Sequence, residues 1–288
     1  QFYMKRLFAS FFCLLFVFPV FASGEPVSFE KVFSLSKEDV EVLNSKIGIK
    51  HLLANKKINL EKVLKATRHE LKLREIQSEL VRLQLWVIAN GKKVVVLFHG
   101  GDSSEKSTVI RKIFSHNNPR HFRVEVNLPH KHESGENGYY FKKFVEKLPQ
   151  AGEIVLWDRS WYNRALFEPI LGMCTEDEYG KFMDQVNNFD KMMVDSGIIL
   201  VKFYFTVSPD EQSGRYNELK KSPLTRWKTE NWIKDSPKIL KKYLKYKDVM
   251  FEKTSTDYAP WIEIDKDTRE EELIAAAEHL LQSIPYNE

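Results

Sequence analysis

Residues Val94 to Thr108 read VVVLFHGGDSSEKST, and this stretch decides the fold. Its unbroken apolar start is typical of a strand that is buried on both faces, which is the usual position of a strand in a parallel sheet. The strand runs into two glycines, and Lys106 and Ser107 follow just before a helical pattern begins. A glycine-rich turn between a strand and a helix indicates a phosphate-binding loop.

The chemistry of such a loop comes from its backbone and from a few side chains. Glycines let N–H groups turn toward phosphate oxygens, a lysine reaches the outer phosphates, and a hydroxyl can ligate Mg²⁺. The candidate phosphate-binding residues of the loop are Gly100, Gly101, Ser103, Ser104, Lys106, Ser107 and Thr108. A phosphate-binding loop normally has glycine at the position of Glu105, immediately before the lysine. The Glu105 carboxylate would repel phosphate at short range. The alternative interpretation is a strand-turn-helix unit without a phosphate role.

A second apolar run, from Ile154 to Trp157, ends in Asp158. A carboxylate at the end of a buried strand beside the loop can hold Mg²⁺ or orient the attacking group, and Asp102 inside the loop can do the same. We therefore expect Asp102 and Asp158 to be catalytic and to bind Mg²⁺. The alternative for Asp158 is a helix cap.

Three cations accompany these carboxylates. Arg159 and Arg164 follow Asp158 closely and are placed to clamp phosphates through paired hydrogen bonds, and Lys106 is the expected loop lysine. We expect all three to be catalytic. For Arg164, a structural ion pair is an equally good interpretation.

Along the rest of the chain, short apolar runs alternate with helical stretches, which predicts an α/β fold in three layers around a parallel five-stranded sheet. The predicted strands are Val94–Phe98, Phe122–Val126, Ile154–Trp157, Ile198–Phe205 and Trp261–Ile264. The predicted helices lie near Ser107–Phe114, Tyr139–Lys147, Asp177–Ser196, Asp210–Lys220, Pro237–Thr254 and Arg269–Gln282. A long helix over Asn59–Ala89, with Asn59 as its N-cap, forms an N-terminal helical extension, and residues 220–234 form a helical lid.

The first residues suggest export. Met4-Lys5-Arg6 is followed by an apolar run to Phe21 and a small-residue ending at Ala22, which predicts a cleavable signal peptide over 4–22 and a periplasmic location. An uncleaved membrane anchor is the alternative. Residues 23–58 are a polar lead-in, with one short helix possible near 37–45. The domain proper is expected over 59–286.

Charge and cysteine content exclude some classes. The formal charge of +4 suits a polyanionic substrate. The sequence has no basic and aromatic ladder of the kind that single-stranded nucleic acid needs, so we expect no nucleic-acid partner. Only Cys174 lies outside the predicted signal peptide, so no internal disulfide is expected.

The stretch from Leu148 to Ala165, LPQAGEIVLWDRSWYNRA, resembles the signature of the family-2 polyphosphate kinases. Further matching segments are Gly172–Thr175, Asp195–Lys202, Glu211-Gln212, Arg226–Lys228 and Ala259–Trp261. The resemblance extends from about Leu60 to Tyr286.

The resemblance implies a P-loop kinase-like fold and a phosphotransferase. Such an enzyme would move a phosphoryl group between inorganic polyphosphate and a nucleotide, ADP or GDP to ATP or GTP or the reverse, with Mg²⁺. It also implies that Asp102 and Asp158 organise the metal and the accepting phosphate, and that Glu133 and Arg215 lie around the site and its lid. The expected partners are polyphosphate, a nucleoside mono- or diphosphate and further copies of the chain in a dimer or tetramer.

Several residues depart from the family pattern. Where the family has Glu-Gly-Arg-Asp-Ala-Ala-Gly-Lys-Gly-Gly, this chain reads HGGDSSEKST, so Gly101 replaces an arginine and Glu105 a glycine. Ser134 stands where a further arginine is usual. Each lost charge-assisted contact could remove about 1.5–3 kcal/mol. The alternative function is therefore a catalytically impaired exported protein that binds polyphosphate or a partner on the same scaffold.

Overall fold

The computed structural model describes residues 35–54, 59–101, 106–127, 139–206, 214, 217–221, 223, 226, 237–266 and 268–286. Its strands are β1 (Lys93–Gly100), β2 (Phe122–Val126), β3 (Glu153–Asp158), β4 (Ile198–Thr206) and β5 (Trp261–Asp265). Its helices are α1 (Lys37–Asn44), α2 (Lys46–Ala54), α3 (Leu60–Ala89), α4 (Lys106–Ile113), α5 (Lys142–Val145), α6 (Asn163–Ile170), α7 (Glu176–Asp195), α8 (Pro237–Thr254) and α9 (Arg269–Ser283).

The chain packs as two units, residues 1–75 and 76–288, and the boundary falls within α3. In the first unit, Ser36 caps α1 through a reciprocal pair of hydrogen bonds with Asp39. A small apolar cluster forms around Leu43, Val63 and Leu64. The predicted domain boundary at residue 59 stays a prediction.

In the second unit, the predicted parallel sheet is confirmed. It has five strands in the order β2-β3-β1-β4-β5, and each neighbouring pair is parallel. The two central apolar strands are buried throughout: Val94–Phe98 and Ile154–Trp157 are each at most 1% exposed. Burial on both faces explains why their sequences do not alternate between apolar and polar residues.

Helices cover both faces of the sheet. Helices α4 and α9 pack against each other and against strands on one face, and α6, α7 and α8 pack together on the other. The second of these layers rests on an extensive core cluster, which includes Leu97, Trp157, Trp161 and Tyr162. The three-layer α/β architecture is therefore confirmed.

The long helix is as predicted: the Asn59 side chain accepts the Lys62 N–H at 3.1 Å as an N-cap, and α3 follows it. Other elements differ. The helix predicted over Tyr139–Lys147 is wrong in length, because only α5 (Lys142–Val145) is helical. Helices α2 and α6 were not predicted. Most of the predicted lid, residues 220–234, and most of the Asp210–Lys220 helix lie outside the described residues.

The predicted signal peptide also lies outside the described residues. Within the part of the chain that the structure describes, no helix has the length and apolar content needed to cross a membrane.

Candidate active site at the ends of β1 and β3

The candidate site lies where β1 and β3 end side by side. The two strands are hydrogen-bonded neighbours, with Phe98 in register with Asp158. Strand β1 continues into α4 on one face of the sheet, whereas β3 leads to α6 on the other. Connections that leave neighbouring strands toward opposite faces open a crevice at their carboxyl ends, which is the usual ligand position in an open α/β sheet.

Gly100 ends β1 in a conformation that only glycine adopts easily. Its φ is +138°, and a Cβ at this position would lie 2.4 Å from the Phe205 carbonyl oxygen. The close approach to β4 therefore requires glycine. At Gly101, by contrast, a Cβ would meet nothing within 4 Å.

Lys106 begins α4 and is 5% exposed. Its Nζ donates to the carbonyl oxygens of Gly101 at 2.9 Å and Gly100 at 3.3 Å, so the ammonium lies over the loop backbone. Burial lowers the pKa of this ammonium, and the carboxylates of Asp158 and Glu272 oppose the shift. The structure thus brings together the loop lysine and the strand-end carboxylate, as predicted.

Asp158 ends β3 and is 9% exposed. Its Oδ2 accepts a short hydrogen bond from the Ser107 hydroxyl, which joins the two halves of the predicted site directly. Both groups offer oxygen atoms as ligands, the kind that Mg²⁺ prefers when it is held by one or two protein side chains together with substrate phosphates. The Asp158 side chain bonds to Ser107 in α4 rather than capping α6, whose N-cap Tyr162 makes no side-chain cap bond.

The residues present fit a divalent ion only in part. No group of three or more His, Cys, Asp or Glu side chains suited to a metal occurs among the residues that the structure describes. A Mg²⁺ ion here would therefore rely on Asp158, on Ser107 and on phosphate oxygens of the substrate. The other predicted metal ligand, Asp102, lies outside the described residues.

Arg159 follows Asp158 in a strained turn. Its φ of +63° is the only positive φ of a non-glycine residue in the described chain. Such a conformation costs about 1–3 kcal/mol and persists only where neighbouring contacts enforce it. The Arg159 N–H donates to the Phe98 carbonyl at 3.0 Å, which ties the turn to β1.

The turn is also held through Ser160, which is fully buried. The Ser160 N–H donates to His99 Nε2 at 3.0 Å, and the Ser160 Oγ lies 2.8 Å from the same nitrogen. On the other side, the Asn127 side-chain amide donates to the Ser160 carbonyl at 2.8 Å. Side chains from the ends of β1 and β2 therefore fix the backbone immediately after Asp158.

The Arg159 guanidinium lies over the Phe167 ring, with its Cζ 4.4 Å from the ring centroid. The Phe167 ring packs against Tyr243 of α8 at 5.8 Å. Burial lowers the pKa of Arg159 to about 10, and the Tyr243 hydroxyl opposes the shift. The guanidinium is therefore charged near neutral pH, and it lies on an aromatic ring just beyond the carboxyl end of β3.

Arg164 has the structural ion pair that the sequence left open. Its Nε donates to Glu168 Oε2 at 2.6 Å, and both side chains are buried. The guanidinium stacks on the Tyr140 ring at 4.0 Å, and the Tyr140 hydroxyl donates to Glu168. A role for Arg164 in binding phosphate stays a prediction.

A buried polar network lies directly beneath the turn. We call it the Lys202 network, and its members are Trp161, Tyr162, Asp190, Lys202 and Thr254. Lys202 donates to the Asp190 carboxylate at 3.1 Å, to the Tyr162 hydroxyl at 3.2 Å and to the Thr254 carbonyl at 2.8 Å. Asp190 also accepts from Trp161 Nε1 and from the Tyr162 hydroxyl. The network anchors the two residues that follow Ser160.

Other predicted site residues are not described by the structure. These are Asp102, Ser103, Ser104, Glu105, Glu133 and Arg215. Thr108 is described and half-buried, with its hydroxyl 3.4 Å from an Arg111 nitrogen.

Two buried groups near the site were not singled out from the sequence. Glu272, fully buried in the first turn of α9, interacts electrostatically with Lys106. His99 joins β1 to the Asp158–Ser160 turn. An acidic residue in a first helical turn is ordinarily a helix-dipole partner, so the sequence offered no signal that Glu272 is buried. The apolar pattern of β1 places His99 at the end of the strand, but it does not show that Ser160 is its hydrogen-bond partner.

Comparisons with known proteins agree on one family. The family model for Polyphosphate kinase 2 matches residues 63–288. The ADP-polyphosphate phosphotransferase of Pseudomonas aeruginosa is 37% identical over 248 residues, which are 86% of this chain and 81% of that protein. The GDP-polyphosphate phosphotransferase of Mycobacterium tuberculosis is 35% identical over 218 residues, 76% of this chain and 74% of that protein.

Solved structures share the fold. The crystal structure of Polyphosphate Kinase 2 from Arthrobacter aurescens TC1 superposes with a TM-score of 0.65 at 22% identity, covering 75% of this chain and 78% of that chain. A longer chain from Pseudomonas aeruginosa PA01 superposes with a TM-score of 0.63 at 23% identity, covering 75% of this chain but 46% of that one.

Proposed function

This chain belongs to the polyphosphate kinase 2 family, a family of polyphosphate kinase-like phosphotransferases, and we propose that it moves a phosphoryl group between inorganic polyphosphate and a nucleotide with Mg²⁺. The observation that supports this most is the meeting of Lys106, Ser107 and Asp158 at the ends of β1 and β3. Phosphoryl transfer needs little covalent chemistry from a protein, since positioning and charge stabilisation supply most of the catalysis.

Each residue has a distinct part in the proposed reaction. The Lys106 ammonium stabilises negative charge on the transferring group, and the N-terminus of α4 adds backbone N–H groups that point toward phosphate. Asp158 and Ser107 would hold Mg²⁺, which neutralises charge on the phosphate oxygens when it is bound. Arg159 is charged and close to Asp158 in the chain, so it is placed to bind a phosphate of the polymer or of the nucleotide.

The names of the relatives suggest the acceptor. The Pseudomonas aeruginosa relative is an ADP-polyphosphate phosphotransferase, and the Mycobacterium tuberculosis relative is a GDP-polyphosphate phosphotransferase. We therefore propose ADP or GDP as the nucleotide, with ATP or GTP as the product or, in reverse, the donor. Export to the periplasm, which the first residues predict, and assembly into a homo-oligomer, which the family resemblance implies, remain part of the proposal.

The experiment that tests this function is a turnover assay with a pair of matched variants. We expect the purified chain to form ATP or GTP from the diphosphate, long-chain polyphosphate and Mg²⁺, and we expect Asp158→Asn to abolish turnover without unfolding the protein. The control is Asp177→Asn, because Asp177 is exposed and its ion pair is with Lys181, which is also exposed. Equal activity in Asp158→Asn and the unsubstituted chain would remove Asp158 from the mechanism.

The alternative is a catalytically impaired protein on the same scaffold. It is favoured by Glu105 and by the missing arginines at Gly101 and Ser134. A folded chain that shows no turnover with any nucleotide but binds polyphosphate would support this alternative.

A further inference from the structure

His99 is a fully buried polar side chain that the proposed reaction does not yet use. It points to the same face of β1 as Leu97, and its ring stands nearly perpendicular to those of Trp261 and Tyr162, at centroid distances of 5.7 and 6.1 Å. An imidazole in such apolar surroundings needs a structural or functional reason, because burying a polar ring is unfavourable unless it is hydrogen-bonded.

The hydrogen bonds of His99 define which ring nitrogen carries the proton. Nε2 accepts the Ser160 backbone N–H, so it is the unprotonated nitrogen, and the Ser160 hydroxyl must donate to it as well. Nδ1 then bears the proton, and it has no hydrogen-bond partner among the described residues. Burial and the nearby cations Lys106 and Arg159 keep the pKa of His99 well below its usual value.

The two bonds to Ser160 act on the most strained backbone of the site. The left-handed conformation of Arg159 needs contacts on both sides to persist. One side is held by the Arg159 N–H bond to the Phe98 carbonyl, and the other by the bonds between Ser160 and His99. Without an acceptor at His99, two buried donors of Ser160 would lose their partner and the turn would be free to relax.

We propose that His99 is a positioning residue, whose neutral imidazole holds the Asp158–Ser160 turn against β1 and so fixes the Asp158 carboxylate and the Arg159 backbone for phosphoryl transfer. This inference rests on the proposed function for its catalytic consequence, but the holding of the turn is a structural claim of its own. In this role His99 acts through its hydrogen bonds to Ser160. A neutral acceptor serves this position because a third cation beside Lys106 and Arg159 would be repelled.

The first test needs no substitution. In long-range proton–nitrogen correlation spectra of the full chain, Nε2 of His99 is expected to be unprotonated and Nδ1 protonated. The opposite tautomer would overturn the proposal, because a protonated Nε2 has no lone pair to accept the Ser160 N–H.

The second test compares His99→Leu with His99→Gln. Glutamine places an oxygen acceptor near the position of Nε2, whereas leucine offers none. We expect hydrogen exchange at the Ser160 amide to accelerate about tenfold or more in His99→Leu and to stay close to that of the unsubstituted chain in His99→Gln. Asn117→Ala is the control. It also removes one buried hydrogen bond, from the Asn117 side chain to the Leu80 carbonyl, but in the segment before β2, away from the carboxyl ends of β1 and β3.

Catalysis supplies the third readout. We expect kcat of His99→Leu to fall on the order of 100-fold with little change in the nucleotide KM, because a misplaced catalytic group costs about this factor, and we expect His99→Gln to recover most of it. Equal losses in the two variants, or unchanged Ser160 exchange in His99→Leu, would overturn the proposal. If the unsubstituted chain transfers no phosphoryl group, the proposed function fails, and the tautomer and the Ser160 exchange rate still decide whether His99 holds the turn.

Discussion

Replacing Lys202 by methionine tests the packing beneath the site. Lys202 is fully buried in the middle of β4, and its three hydrogen bonds all go to members of the Lys202 network. Burial lowers the pKa of Lys202 and raises that of Asp190, and each partner opposes the shift of the other. Methionine keeps most of the volume of the side chain but removes the charge, so Asp190 would remain buried without its countercharge.

The expected cost follows from this arrangement. Removing one partner of a buried ion pair typically costs about 3–5 kcal/mol of the free energy of unfolding. Asp190 keeps donors from Trp161 Nε1 and from the Tyr162 hydroxyl, which places the expected loss near the lower end of that range. For a protein of this size, each kcal/mol shifts the melting temperature by about 2–4 °C, so a loss near 3 kcal/mol is expected to lower Tm by about 6–12 °C.

A double-mutant cycle with calorimetry and urea denaturation provides the measurement. Asp190→Asn alone is also expected to destabilise the protein, because it leaves the Lys202 ammonium buried without a countercharge. The double variant Lys202→Met, Asp190→Asn is expected to lose less than the sum of the two single losses, because neither charge is then left alone. Strictly additive losses, or a loss under about 1 kcal/mol for Lys202→Met, would refute the ion-pair reasoning.

Three further predictions follow from the site. Gly100→Ala should destabilise the protein by about 3 kcal/mol or more in urea denaturation, because φ at this position is +138° and the new Cβ would lie 2.4 Å from a carbonyl oxygen. Gly101→Ala is the control and should be nearly neutral, since its Cβ would meet nothing within 4 Å. Equal effects of the two substitutions would contradict the close approach to β4. Glu105→Gly should tighten nucleotide binding about tenfold by calorimetry, since relieving about 1.4 kcal/mol of repulsion gives that factor, and unchanged or weaker binding would count against repulsion. The pKa of His99 is depressed in the folded chain, so the stability that the neutral ring contributes is fully present above the usual histidine pKa of 6.5. This stability is lost as the pH falls below 6.5, by up to about 1.4 kcal/mol per pH unit. His99→Gln should flatten this part of the curve of stability against pH, and an unchanged slope would show that His99 does not titrate there.

The sheet could be predicted because its signal is local. The apolar runs of β1 and β3 each identify a strand that is buried on both faces, and the residues at their ends identify the crevice. Helix α8 was predicted with its observed bounds, Pro237–Thr254. Local patterns of this kind require no knowledge of which elements pack together.

Two helices were missed because their local signals are weak. Helix α6 contains Pro169 and has no side-chain cap at Tyr162, so neither its start nor its interior favours a helix on propensity alone. Its burial stabilises it instead, since six of its residues are buried. Helix α2 contains Gly48 and lies in a stretch that was interpreted as a polar lead-in.

The side-chain contacts that shape the site could not be predicted from the sequence, because the residues that meet are far apart in the chain. Lys202 and Asp190 lie on different elements, as do His99 and Ser160, which are separated by 61 positions in the chain. A single sequence shows the residues but not which of them meet. Lys106, Ser107 and Asp158 were foreseen because the ends of neighbouring parallel strands and the following helix must meet at one edge of the sheet.

Transfer of label from radiolabelled polyphosphate to a nucleotide tests the central claim most directly. With ADP or GDP and Mg²⁺, the unsubstituted chain is expected to produce a nucleoside triphosphate that carries the label, and Lys106→Met is expected to produce none while remaining folded. A folded unsubstituted chain that leaves all of the label in polyphosphate with ADP, GDP and AMP would contradict the proposed function.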